Sequence, residues 1–215
     1  SNITLNDTLG AISLSAITAS NNTRIVLADA TISFFTTTSL ELSSGAVLNL
    51  TKVTASSAAN IAGTMATGSR IIINDVAFPS LAVGMTSSCT LGQSCLVHIT
   101  DARLISSSTA VVPLVLSGAI GDAAYVVVEQ STITSIETPA LRLSGATALT
   151  GSAFLSVLGN TMTQIVGNGP LVASTDALTA FSGTVELWGN TLVGGGVGLL
   201  SLGQPAAVSI VNNSV

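Results

Sequence analysis

A short run of β-branched and aliphatic residues closed by a polar pair recurs nine times along this 215-residue chain: ITLND, IVLAD, LNLTK, IIIND, VHITD, VVVEQ, SVLGN, ELWGN and SIVNN. Repetition of this kind constrains a fold strongly, because each copy can bury its apolar face only against its neighbours. With the second residue of each polar pair as marker, the copies fall at Asp7, Asp29, Lys52, Asp75, Asp101, Gln130, Asn160, Asn190 and Asn213, at intervals of 22, 23, 23, 26, 29, 30, 30 and 23 residues. Between markers lies a second apolar segment, such as SLEL near 39, SLAV near 80 and ALRL near 140. These runs are bounded by Gly, Ser, Asn and Asp, which is the chemistry of strands joined by tight turns. No window keeps a convincing 3.6-residue apolar period, so little helix is expected.

A repeat of this length built from two or three short strands predicts an all-β, single-domain parallel β-helix over residues 1–215, with about nine coils of 22 to 30 residues. Leucine-rich repeats share the period but need a Leu/Asn consensus that is absent, and propeller blades need about 40 residues or more. Stacked at about 4.8 Å, nine coils make a rod on the order of 40 Å long. In the first six coils the inward pairs are Ile3/Leu5, Ile25/Leu27, Leu48/Leu50, Ile71/Ile73, Val97/Ile99 and Val126/Val128. In the last three, Leu155/Val157, Val185/Leu187 and Val208/Ile210 fit, but they sit one residue earlier relative to the marker. Either the turn gains a residue there, with Gly159 and Gly189 relieving it at positive φ, or the markers are shifted by one.

Composition narrows the function classes. Only 7% of the residues are charged and 3% aromatic, yet 47% are hydrophobic and the mean hydropathy is +0.73, which excludes a disordered chain. No apolar run reaches the roughly 18 residues of a membrane-spanning helix. Five cations against ten acids, for a net charge of −5, leave no basic patch for nucleic acid. Cys89 and Cys95, six residues apart in CTLGQSC, are expected to close a small disulfide loop in an oxidising compartment, with two buried thiols as the alternative. The chain opens on Ser rather than Met and is expected to be a processed or excised segment of a longer protein.

The polar pairs carry the candidate structural sites. Asn160, Asn190 and Asn213 are expected to form a stacked amide ladder, each side chain bonding to the neighbouring coil. Asp7, Asp29, Asp75 and Asp101 are expected to face solvent, with Lys52 moderating their repulsion. Five Asn-X-Ser/Thr sequons, at Asn2, Asn6, Asn21, Asn49 and Asn212, are candidate N-glycosylation sites, with Asn2 and Asn49 on strands facing outward. No metal site, cofactor or catalytic residue is expected: one His and two close Cys are too few ligands for zinc, and His98 reads as an outward strand residue.

The copies VLGNTMTQIVGNG and LWGNTLVGGGVGLL, followed by SIVNNSV, resemble the repeats of the trypanosome dispersed-gene-family surface proteins, in which a GN(T/S) turn alternates with short Val- and Ser-rich strands. The resemblance is clearest over about residues 150 to 215 and fades toward the N-terminus, where ND, AD or TD replaces GN. It implies a large secreted or surface-anchored glycoprotein with β-helical segments and a role in adhesion. It carries over no catalytic residues.

Three functions compete. The first is a structural or adhesive extracellular module, not an enzyme, whose ends meet another copy or further β-helical sequence and whose partners are surface glycans or proteins. The second is a polysaccharide lyase or hydrolase, for which carboxylate pairs such as Asp75/Asp101 or Glu129/Asp101 would have to share a groove; Trp188 and Tyr125 are the only amphipathic aromatics for sugar stacking. The third is binding to ice by a Thr array, in which Thr132/Thr134 and Thr161/Thr163 align but Asp101 to Leu104 and Asn190 to Val193 break the column.

Overall fold

The computed structural model describes residues 2–6, 9–14, 17–88, 94–120, 124–149, 152–167, 169–174, 183–198 and 207–214. Every regular element among them is a β-strand, and the strands pair in parallel to form one continuous β-solenoid with three faces.

The first face is built from the predicted repeats. It stacks Asn2–Asn6, the opening of Arg24–Leu42, Val47–Ala55, Arg70–Asn74, Cys95–Thr100, Ala124–Glu129, Phe154–Leu158, Thr184–Trp188 and Ala207–Val211. One column of register partners runs Ile3, Ile25, Leu48, Ile71, Val97, Val126, Leu155, Val185, Val208. The column two residues on runs Leu5, Leu27, Leu50, Ile73, Ile99, Val128, Val157, Leu187, Ile210. Between the two end levels these positions are only 0–6% exposed, because side chains at i and i+2 share a face and meet like residues above and below. The register is unbroken through the last three copies. No residue is gained there; the markers Asn160, Asn190 and Asn213 were one residue too late.

The second face is narrow. Its strands contribute about one inward side chain per level, in the column Ile32, Ala55, Phe78, Leu104, Ile133, Met162, Leu192. The third face holds the second apolar segments, with Ala59, Leu81, Leu114, Leu141, Val172 and Val197 in register. The three inward surfaces merge in one apolar core.

Nine coils were expected, and the count is lower. The third-face strands dwindle to Val172–Ser174 and Val197–Gly198, and the ninth level consists of Ala207–Val211 and a bridge from Thr191 to Ser214. The three-sided cross-section is therefore fully strand-built over about six turns. Part of the longer repeat length goes into the corner between the second and third faces. Residues 79–80 suffice there at the fourth level, whereas 106–113 fill it at the fifth.

Candidate functional site

The turn that follows the first face is left-handed at consecutive levels. Asp29, Lys52, Asp75, Asp101 and Gln130 have φ of 49 to 53°, Gly159 and Gly189 have 59 and 65°, and Asn212 has 54°. Asn and Asp tolerate this region through their short polar side chains, and Gly occupies it without steric cost. Asp29, Asp75 and Asp101 are exposed at this edge, whereas Asp7 lies outside the described residues. Lys52 Nζ approaches Asp29 Oδ1 at 3.9 Å with both side chains 62% exposed, a pair worth little to stability.

One residue further on, the chain turns inward, and here the amide ladder stands. This column holds Ala30, Val53, Val76 and Ala102 at the earlier levels, then Ser131, Asn160, Asn190 and Asn213. The Ala102 N–H donates to Ser131 Oγ (3.1 Å), Ser131 N–H to Asn160 Oδ1 (2.9 Å), Asn160 N–H to Asn190 Oδ1 (3.0 Å) and Asn190 N–H to Asn213 Oδ1 (2.9 Å). Asn160 Nδ2 donates to Val128 O and Asn190 Oδ1, and Asn190 Nδ2 donates to Val157 O and Asn213 Oδ1. Asn160 and Asn190 are 1% and 2% exposed, so these bonds satisfy groups that water cannot reach.

The other sequence candidates disperse. Asn2, Asn21 and Asn212 are exposed; Asn6 lies in a strand whose description does not extend to its side chain. Asn49 differs from expectation. It faces outward but is only 9% exposed, because the bulkier Val26 and Ile72 stack on either side of it and Thr51 Oγ1 donates to its Oδ1 at 2.9 Å. Cys95 is 1% exposed and disulfide-bonded; Cys89, the only other cysteine, lies outside the described residues. His98 is half-buried rather than freely solvated, with Nε2 2.8 Å from Glu129 Oε1. Asp75 and Asp101 occupy consecutive levels of the exposed turn row. Among the described residues no three His, Cys, Asp or Glu come together as a metal site.

On the second face, Thr132, Thr161 and Thr191 align in one outward column, so the column continues past Asn190, where the sequence suggested a break. Arg103 and Ile105 end the array on one side, and Val193 replaces Thr in the adjacent column. At the fourth level the short side chains of Ala77 and Pro79 leave a shallow groove of about 220 Å³ between Thr54 on one side and Arg103 and Ile105 on the other. It adjoins a serine-lined hollow of about 260 Å³ at the next corner. Neither was visible in the sequence, since both depend on which short residue stacks between two longer ones. No family model, curated protein or solved structure matches the chain.

Proposed function

We propose that this chain is a rod-forming segment of an extracellular surface glycoprotein, structural and adhesive rather than catalytic, and that its ends meet further β-solenoid from the same chain or another copy. The observation that supports this is the state of the terminal core positions. Ile3 and Leu5 are 51% and 37% exposed at one end and Val208 and Ile210 36% and 51% at the other, although they belong to the columns that are buried at every level between. The N–H of Asn213, whose equivalents donate to the next amide of the ladder, has no partner among the described residues. A strand edge with both backbone groups and core side chains open is a template for strand addition.

Electron microscopy of the protein from its native source, with intact mass before and after glycosidase, tests the proposal. Rods longer than this chain alone can build and a glycan mass lost on digestion are expected. Unglycosylated single rods with nothing at either end would overturn it.

A further inference from the structure

The chain has one Trp, one Tyr and five Phe, and the solenoid gathers three of these seven aromatics on three successive levels of one outer surface. Tyr125 and Phe154 are register partners on the first face, with ring centroids 6.0 Å apart and planes inclined by 48°. Trp188 stands on the next level. It is four residues along the strand from Thr184, the partner of Phe154, or about 13 Å across the face. Tyr125 and Trp188 are 44% and 48% exposed.

Between the two aromatic groups lies a polar centre that the fold does not satisfy. Ser156 and Glu186 are register partners in the middle outward column. Ser156, 2% exposed, is covered between Val127 and Glu186, so the Glu186 carboxylate is the polar group that this part of the face presents. The Glu186 carboxylate is half-buried and has no partner among the described residues. Apolar rings on either side of an unpartnered carboxylate call for a ligand that is apolar on its flat faces and hydroxyl-bearing on its edges. A sugar chain has that form at every ring. The Glu186 carboxylate accepts hydrogen bonds from hydroxyls and repels acidic sugars.

We propose that the outer side of the first face, from Tyr125 and Phe154 to Trp188, binds a neutral oligosaccharide lying along the strands. Glu186 takes its hydroxyls, and the rings take its C–H faces. This rests on the adhesive half of the function proposed above and gives it a ligand class.

Trp188 is the only tryptophan, so its fluorescence reports the site directly. The chain is purified from a host that adds no N-glycans. It is then titrated with tetrasaccharides of β-1,4-glucose, β-1,4-N-acetylglucosamine and α-1,4-glucose, with tetragalacturonate as the acidic comparison. At least one neutral tetrasaccharide is expected to shift the emission saturably and to protect Trp188 from acrylamide. Tyr125→Ala and Glu186→Gln are each expected to weaken binding about tenfold, with unchanged circular dichroism; Thr132→Ala on the second face is expected to leave it unchanged. The proposal is overturned if no neutral tetrasaccharide moves the signal, if both variants bind as tightly as the parent, or if tetragalacturonate binds equally well. Rods seen by microscopy without any saccharide binding would remove this site and leave the structural reading standing.

Discussion

At the turn after the first face, a single backbone conformation is held by residues of very different chemistry. Asp, Lys, Gln, Gly and Asn all occupy the left-handed position, so what repeats there is geometry, not side-chain identity. A Cβ built on Gly159 meets nothing within 4 Å, so replacing this glycine is opposed by its φ of 59° and not by crowding. Gly159→Val is expected to lower stability by about 1–2 kcal/mol, read from the denaturant midpoint, because a β-branched residue is especially disfavoured in that region. The neighbouring ladder position answers to burial. Asn190→Ala would leave the Asn160 N–H without a partner and remove the amide bond to the Val157 carbonyl at a site 2% exposed, and a loss of about 2–4 kcal/mol is expected. Asn213→Ala removes the same bonds from a half-buried level that water reaches, and should cost less than half as much in the same melt.

At the scale of strands, the outward side chains set the accessibility of the sequons. A short side chain between two longer ones in a column with a spacing of about 4.8 Å is covered even on an outer face. Asn49, between Val26 and Ile72, should therefore stay unmodified where Asn2, Asn21 and Asn212 carry glycan; peptide mapping of material from a glycosylating host checks this. The same columns explain what the sequence could reveal. All nine inward pairs of the first face were readable because Ile, Leu and Val recur with period two within each copy. The marker slip arose because the polar residue migrates. In the early coils it occupies the left-handed position and an apolar Ala30, Val53, Val76 or Ala102 follows; later Gly takes the turn and Asn moves inward. The second face shows in the sequence only as the aligned pairs Thr132/Thr134 and Thr161/Thr163, because one inward residue per level leaves no apolar periodicity to detect. Tyr125, Phe154 and Trp188 looked unrelated in the sequence because repeats of 29 and 30 residues separate positions that only the exact register makes neighbours.

For the molecule as a whole, the question is how the ends of the solenoid behave. At the C-terminal end, Val208 and Ile210 continue the two core columns, and Ile210 is 51% exposed. A lysine at that position has room for its ammonium in water while nothing lies beyond the edge. If another strand adds to Ala207–Val211, the same ammonium is carried into an apolar column between two levels, where an unpaired charge is not tolerated. Ile210→Lys should therefore leave the fold of the isolated chain intact while abolishing association. Few charges oppose stacking in the parent, and a heterologous contact of this kind does not close, so its association should be open-ended and steepen with concentration. Sedimentation velocity over a concentration series distinguishes the two: the parent is expected to form a growing distribution of larger species and Ile210→Lys a single one. Equal association in both would show that whatever contact joins the copies does not use this edge.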